Sequence, residues 1–167
     1  MQSNKTLIKN AKIVNEGAVF HGDILIEGDY IKEISESINL QSDDLQVFDA
    51  EGKYVIPGAI DDQVHFREPG LTHKANIETE SRAAIAGGIT SFIEMPNTNP
   101  QTTTIEKLNE KFEIASKTSF ANYSFMFGGT NDNIDETNFL YKKTSITLLI
   151  LGLGVFFILW YLVVTIR

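Results

Sequence analysis

The side chains best suited to chemistry lie in one short stretch, Pro57-Gly58-Ala59-Ile60-Asp61-Asp62-Gln63-Val64-His65-Phe66-Arg67-Glu68-Pro69-Gly70. If residues 59–65 form a strand, its side chains alternate between two faces. Asp61, Gln63, His65 and Arg67 then share one face for as long as the strand persists, and Asp62, Val64 and Phe66 share the other. A neutral histidine can ligate a metal. An arginine offers a planar fork matched to a carboxylate. A second run, residues 89–95, leads into Met95-Pro96-Asn97-Thr98. Its alternation puts Ser91, Ile93, Met95 and Asn97 on one face, with Asn97 just past the strand end and able to donate and accept hydrogen bonds. Polar side chains at the C-terminal ends of parallel strands are where barrel enzymes keep their chemistry. By residue type alone the signal is modest. A lone histidine on a strand is more often a structural residue than a ligand, because a metal site takes three or four donors.

The elements that must position these residues are legible from spacing. Residues 6–56 break into short β-rich runs separated by Gly and Asn/Asp turns at Asn15-Glu16-Gly17, Gly28-Asp29 and Glu51-Gly52, which predicts a small antiparallel unit. From Pro57 the pattern changes. Residues 76–86 read as a helix stopped by Gly87-Gly88. Residues 102–117 place Ile105, Leu108, Phe112 and Ala115 at helical spacing, with Glu106 in the first turn and Lys117 near the end, as the helix dipole favours. Residues 119–127 read as a third strand. Strand, helix, strand, helix, strand is the opening of a parallel α/β fold. Asn131-Asp132-Asn133 reads as a turn. His21 is expected in an exposed turn and His73 in a loop, neither as a ligand.

Composition removes several function classes. The chain has 167 residues, short for a barrel enzyme of about 250. Its 14 basic against 22 acidic residues give a net charge of −8 with no basic block, which argues against nucleic-acid binding. With no cysteine there is neither a disulfide framework nor a thiolate metal site. The N-terminus lacks the apolar run of an export signal. Residues 145–166 differ from everything before them: 22 residues without a charge, 17 of them apolar. As a helix they would extend about 33 Å, enough for a hydrocarbon core of about 30 Å. Lys142 and Lys143 precede the run, Arg167 follows it, and Trp160 and Tyr161 lie toward its end. This predicts a single C-terminal transmembrane helix, with the bilayer as a partner and the N-terminal part in the cytoplasm.

The two chemical stretches together resemble the signature of dihydroorotases and related cyclic amidohydrolases. That pattern runs Pro-Gly, two apolar residues, Asp-x-His-x-His, an apolar residue, then Arg-Glu-Pro-Gly. Met95-Pro96-Asn97-Thr98 resembles its second motif, and Gly87-Gly88-Ile89-Thr90 fits between them. The resemblance covers about residues 5–137. It implies an α/β architecture: part of a small β-sandwich over 1–56, then the first three strands of a (β/α)8 amidohydrolase barrel over 57–138. It implies a zinc-dependent hydrolase of cyclic amides that interconverts carbamoyl-aspartate and dihydroorotate in pyrimidine synthesis. It implies that His65 is the second histidine of a metal pair, and that Arg67 and Asn97 hold the carboxylate of a small-molecule substrate.

Two departures shape the expectation. The first histidine of the pair is replaced by Gln63, a weak zinc ligand through its amide oxygen. The later metal ligands and the catalytic acid of the family belong to strands four to eight, so no catalytic residue is assigned in this chain. The expectation is a dihydroorotase-like chain, truncated and inactive by itself. The alternatives are a non-catalytic, membrane-anchored binding module and an allantoinase- or dihydropyrimidinase-like amidohydrolase.

Overall fold

The computed structural model describes residues 5–143 and 161–164. The chain divides into two units, Met1–Pro57 and Gly58–Arg167.

The first unit is a single mixed sheet. Its strands are β1 (Lys5–Asn15), β2 (Ala18–Glu27), β3 (Tyr30–Ser35), β4 (Leu45–Asp49) and β5 (Tyr54–Val55). The order is β3-β2-β1-β4, with β5 also on β1. Two-residue turns join β1 to β2 and β2 to β3. The first has positive φ at both Glu16 and Gly17, a turn whose twist suits a hairpin. The expected antiparallel unit is corrected here, because β4 and β5 both run parallel to β1. The long connection over residues 36–44 makes this possible, since parallel neighbours need a crossover and cannot be joined by a tight turn. His21 is exposed but lies within β2, opposite Lys12, and not in a turn.

A buried carboxylate organises this sheet. The β1–β2 register slips between Ile8 and Ala11, and Asn10 takes a positive φ of 56°. Asp23 is 3% exposed. Its two oxygens accept the Asn10 and Ile38 amides, each at 2.9 Å, fixing the bulge and the start of the crossover together. Leu7, Leu25 and Ile38 form one apolar cluster of the sheet, and Ala11, Ile13 and Ile24 another.

The second unit is α/β. Its elements are β6 (Ala59–Val64), α1 (Ile77–Ala86), β7 (Ile89–Glu94), α2 (Ile105–Thr118), β8 (Asn122–Gly128), α3 (Ile134–Lys143) and β9 (Tyr161–Val164). Strands β6, β7 and β8 are parallel and adjacent, and β9 adds antiparallel to β8. Asn76 caps α1 by accepting the Thr79 amide, and Thr104 caps α2 by accepting that of Lys107. The core gathers Phe66, Ile77, Phe92, Leu108, Ala115, Phe125 and Phe127 between sheet and helices.

Two further expectations concern the C-terminal part of this unit. Asn131-Asp132-Asn133 does form a turn, but it leads into the unexpected helix α3. Buried Asn133 accepts the Thr130 amide and donates to the carbonyls of Thr103 and Gly128, so it joins the β8 end to the start of α2. Most of the expected transmembrane helix, residues 145–160 and 165–166, lies outside the described residues. Its described part, Tyr161–Val164, is a strand and not a helix. No helix among the described residues is long and apolar enough to cross a membrane. The same strand pairs antiparallel along the edge of β8. Unpaired edge groups favour a partner, and Tyr161, Val163 and Val164 suit a strand.

Candidate functional site

The expected site residues gather at the C-terminal ends of β6 and β7. Strand β6 ends at Val64, and its pairing with β7 slips: Asp61 faces Phe92, yet Val64 faces Glu94. Three residues of β6 therefore span two of β7, which is a bulge. The row Asp61, Gln63, His65, Arg67 is thus not one continuous face, contrary to the simple alternation. Within the bulge the Gln63 amide donates to Asp61 Oδ1 at 3.2 Å. Beyond it Val64 is half-buried and Phe66 buried, while Gln63 and His65 are exposed. Phe66 packs at a tilt against Phe92 with ring centres 4.5 Å apart, which anchors the backbone between His65 and Arg67.

The loops after β6 and β7 are stitched together at several points. The Met95 amide donates to the Val64 carbonyl at 3.0 Å, and that of Asn99 to Pro69 at 3.1 Å. His65 Nδ1 lies 3.0 Å from Asn97 Oδ1. A carbonyl oxygen only accepts, so with the amide in this orientation Nδ1 carries the proton. Nε2 is then the ring nitrogen with a lone pair, and the Asn97 amide nitrogen keeps its donors. Gly70 has a φ of 81°, and a Cβ there would collide with the Asn99 carbonyl, so only glycine allows this approach of the two loops. Glu68 accepts the Ile77 amide at 2.9 Å and so ties the first motif to the start of α1. His73 is an exposed loop residue.

Arg67 is half-buried and has a φ of 71°, the left-handed region disfavoured for residues with a Cβ. Its amide donates to Glu94 Oε1 at 3.0 Å. The other oxygen of Glu94 pairs with Lys111 Nζ at 3.0 Å, and both side chains are 1% exposed. Lys111 also donates to the Met95 carbonyl at 3.2 Å. Burial pushes the Glu94 carboxyl above the ordinary carboxylate range, although the Lys111 ammonium and the Arg67 amide pull it down. Burial likewise pushes Lys111 below the ordinary lysine value, with Glu94 opposing. Neither residue was singled out from sequence. The available signal was a lysine inside the apolar stripe Leu108, Phe112, Ala115, and an acid following Phe92 and Ile93 and preceding Met95.

Zinc can be tested against these donors. His65 and Gln63 offer one imidazole and one amide. Among the described residues no group of three or more His, Cys, Asp and Glu side chains is placed to hold a metal ion. A zinc centre needs three or four strong donors, so the described residues do not fit one. A cleft of about 830 Å³ lies elsewhere, lined by Ile85, Thr90, Phe112 and Tyr123 among others, toward the N-terminal ends of β7 and β8.

Comparison with known proteins gives this geometry a family. The family described as Dihydro-orotase-like matches residues 52–155, past the start of the uncharged run at 145. The dihydroorotase of Staphylococcus epidermidis is 44% identical over 113 residues, covering 68% of this chain and 27% of that protein. That of Methanosarcina acetivorans is 40% identical over 135 residues, covering 81% and 28%. The chain thus spans little more than a quarter of the relatives it matches. Among solved structures, an L-hydantoinase (dihydropyrimidinase) from Arthrobacter aurescens is 30% identical with a TM-score of 0.77, over 83% of this chain and 31% of that one. A dihydropyrimidinase from Brevibacillus agri is 28% identical with a TM-score of 0.69, over 82% and 30%. The α/β fold is therefore that of hydantoinase-type amidohydrolases, and the chain belongs to the dihydroorotase-like family of cyclic amidohydrolases.

Proposed function

We propose that this chain contributes the carboxylate-recognising side of a dihydroorotase-type site, for carbamoyl-aspartate and dihydroorotate, and does not turn them over alone. The observation that carries the reading is the contact of His65 with Asn97 across two stitched loops at the C-terminal ends of adjacent parallel strands, with Arg67 two residues beyond His65 on the first loop and held there through its amide. The Arg67 guanidinium would pair with the substrate carboxylate, and the Asn97 amide nitrogen would donate to it. His65 would offer Nε2 as one metal donor, with Gln63 as a weak second. The described donors do not complete a metal centre, so no catalytic step is assigned to them.

The test is equilibrium binding of carbamoyl-aspartate to the purified chain, together with zinc content and cyclisation assays. Binding should be measurable, Arg67→Ala should weaken it by about tenfold or more, and turnover should be absent. Zinc-dependent turnover at enzyme-like rates would overturn the claim of inactivity. Equal binding by wild type and R67A would overturn the carboxylate assignment. The hydantoinase likeness favours a second reading, a ring substrate without a carboxylate. In that case hydantoin or dihydrouracil should bind, indifferent to R67A.

A membrane-anchored role is a separate proposal. It rests only on the uncharged run at 145–166, and fractionation of the full chain tests it.

A further inference from the structure

We propose that Glu94, clamped by Lys111, is a positioning residue that holds the Arg67 backbone in its left-handed conformation and so fixes the point from which the guanidinium projects. The inference rests on the reading of Arg67 as the carboxylate anchor and deepens it.

The geometry is a relay from helix to loop. Lys111 on α2 reaches the end of β7, where Nζ meets Glu94 Oε2 at 3.0 Å and the Met95 carbonyl at 3.2 Å. Glu94 is thereby fixed from one side, and its second oxygen is presented to the Arg67 amide at 3.0 Å. That amide belongs to a non-glycine residue at a φ of 71°. Such a conformation persists only where the surroundings impose it. Two other bonds help to impose it: the Arg67 carbonyl accepts the Leu71 amide at 3.0 Å, and Glu68 accepts that of Ile77. The bond from Glu94 is the one that acts on the Arg67 amide itself, and its acceptor belongs to a side chain that is 1% exposed, where a hydrogen bond is electrostatically stronger than in water. A buried ion pair is weak evidence for stability, because desolvation offsets its attraction. A positional role gives this pair a use that stability alone does not.

The experiment uses the full chain and the variants E94Q, R67G and E94Q/R67G. Exchange of the Arg67 amide, followed by ¹⁵N NMR, should be about tenfold faster in E94Q than in wild type. Glycine tolerates the left-handed region, so R67G should relieve part of the loss in urea midpoint caused by E94Q, making the double variant non-additive. Carbamoyl-aspartate binding should weaken in E94Q. Unchanged exchange in E94Q, or strict additivity of the two substitutions, would overturn the proposal. If E94Q proves too unstable to study, K111R supplies the second variant: it keeps the charge but changes the reach, and it should perturb the Arg67 resonance if the relay exists. Loss of the carboxylate reading would show instead as R67A binding equal to wild type, with the exchange and coupling results intact.

Discussion

At the scale of single residues, the contact between His65 and Asn97 has a definite chemical consequence. An imidazole in water favours the tautomer protonated at Nε2. Here Asn97 Oδ1 accepts from Nδ1 at 3.0 Å and selects the opposite one. Asn97→Ala should therefore move neutral His65 toward the Nε2-protonated form. Long-range ¹H–¹⁵N spectra of the ring distinguish the two, and an unchanged spectrum would show that Asn97 does not set the tautomer. Much of this site was legible from sequence, because both residues sit in short stretches of unusual composition at strand ends. The bulge in β6 was not. It depends on pairing with β7, and alternation within one strand cannot show a slip against its neighbour. Glu94 and Lys111 were hidden for a related reason: a charged side chain in an apolar pattern normally reads as solvent-facing, and only the reach of the Lys111 side chain from α2 to the end of β7 brings the two together.

At the scale of elements, the helices and strands of the second unit follow their punctuation closely. Asn76 and Thr104 cap α1 and α2, and Gly87 and Gly88 end α1. Helix α3 follows similar rules, with Asn133 before it and Asp135 and Glu136 in its first turn, but the Asn/Asp cluster is equally a turn signal. Strand direction in the first unit escaped, because it depends on where the 36–44 crossover is fastened, namely the buried Asp23. Asp23→Ala should cost about 1–3 kcal/mol per stranded amide, read as a lower urea midpoint. A midpoint equal to wild type would remove Asp23 from that role. The Glu94–Lys111 pair links β7 to α2 in a pH-dependent way. Lys111→Met should destabilise the chain by about 3–5 kcal/mol near neutrality, since it leaves a buried carboxylate without its partner. Glu94, already raised by burial, would rise further, the nearby Glu68 adding in the same direction. A carboxyl with a raised folded-state pKa contributes stability that is full below its unfolded value, about 4.3, and is lost as pH rises through the folded value. The K111M deficit should therefore shrink at pH 5 relative to pH 8. Equal deficits in urea titrations at both values would sink the account.

At the scale of the whole molecule, one short strand confronts the most emphatic signal in the sequence. An uncharged run of this length argues for a bilayer helix on composition alone. Yet Tyr161–Val164 pairs with Phe125, Met126, Phe127 and Gly128 of β8, where a parallel barrel would place its next strand. The two arrangements exclude each other for these residues: a backbone hydrogen-bonded along a sheet edge cannot also close a helix. They also make opposite predictions for a chain cut after residue 160. If Tyr161–Val164 covers the edge, its removal exposes the β8 groups and leaves an invitation to intermolecular pairing. The shortened chain should then scatter more light on standing, and the Phe125 and Phe127 amides should exchange faster with solvent. If the run spans a bilayer, the cut should weaken carbonate-resistant membrane attachment and leave β8 exchange unaltered. Faster β8 exchange decides for the strand, because no change in membrane attachment by itself reaches those amides.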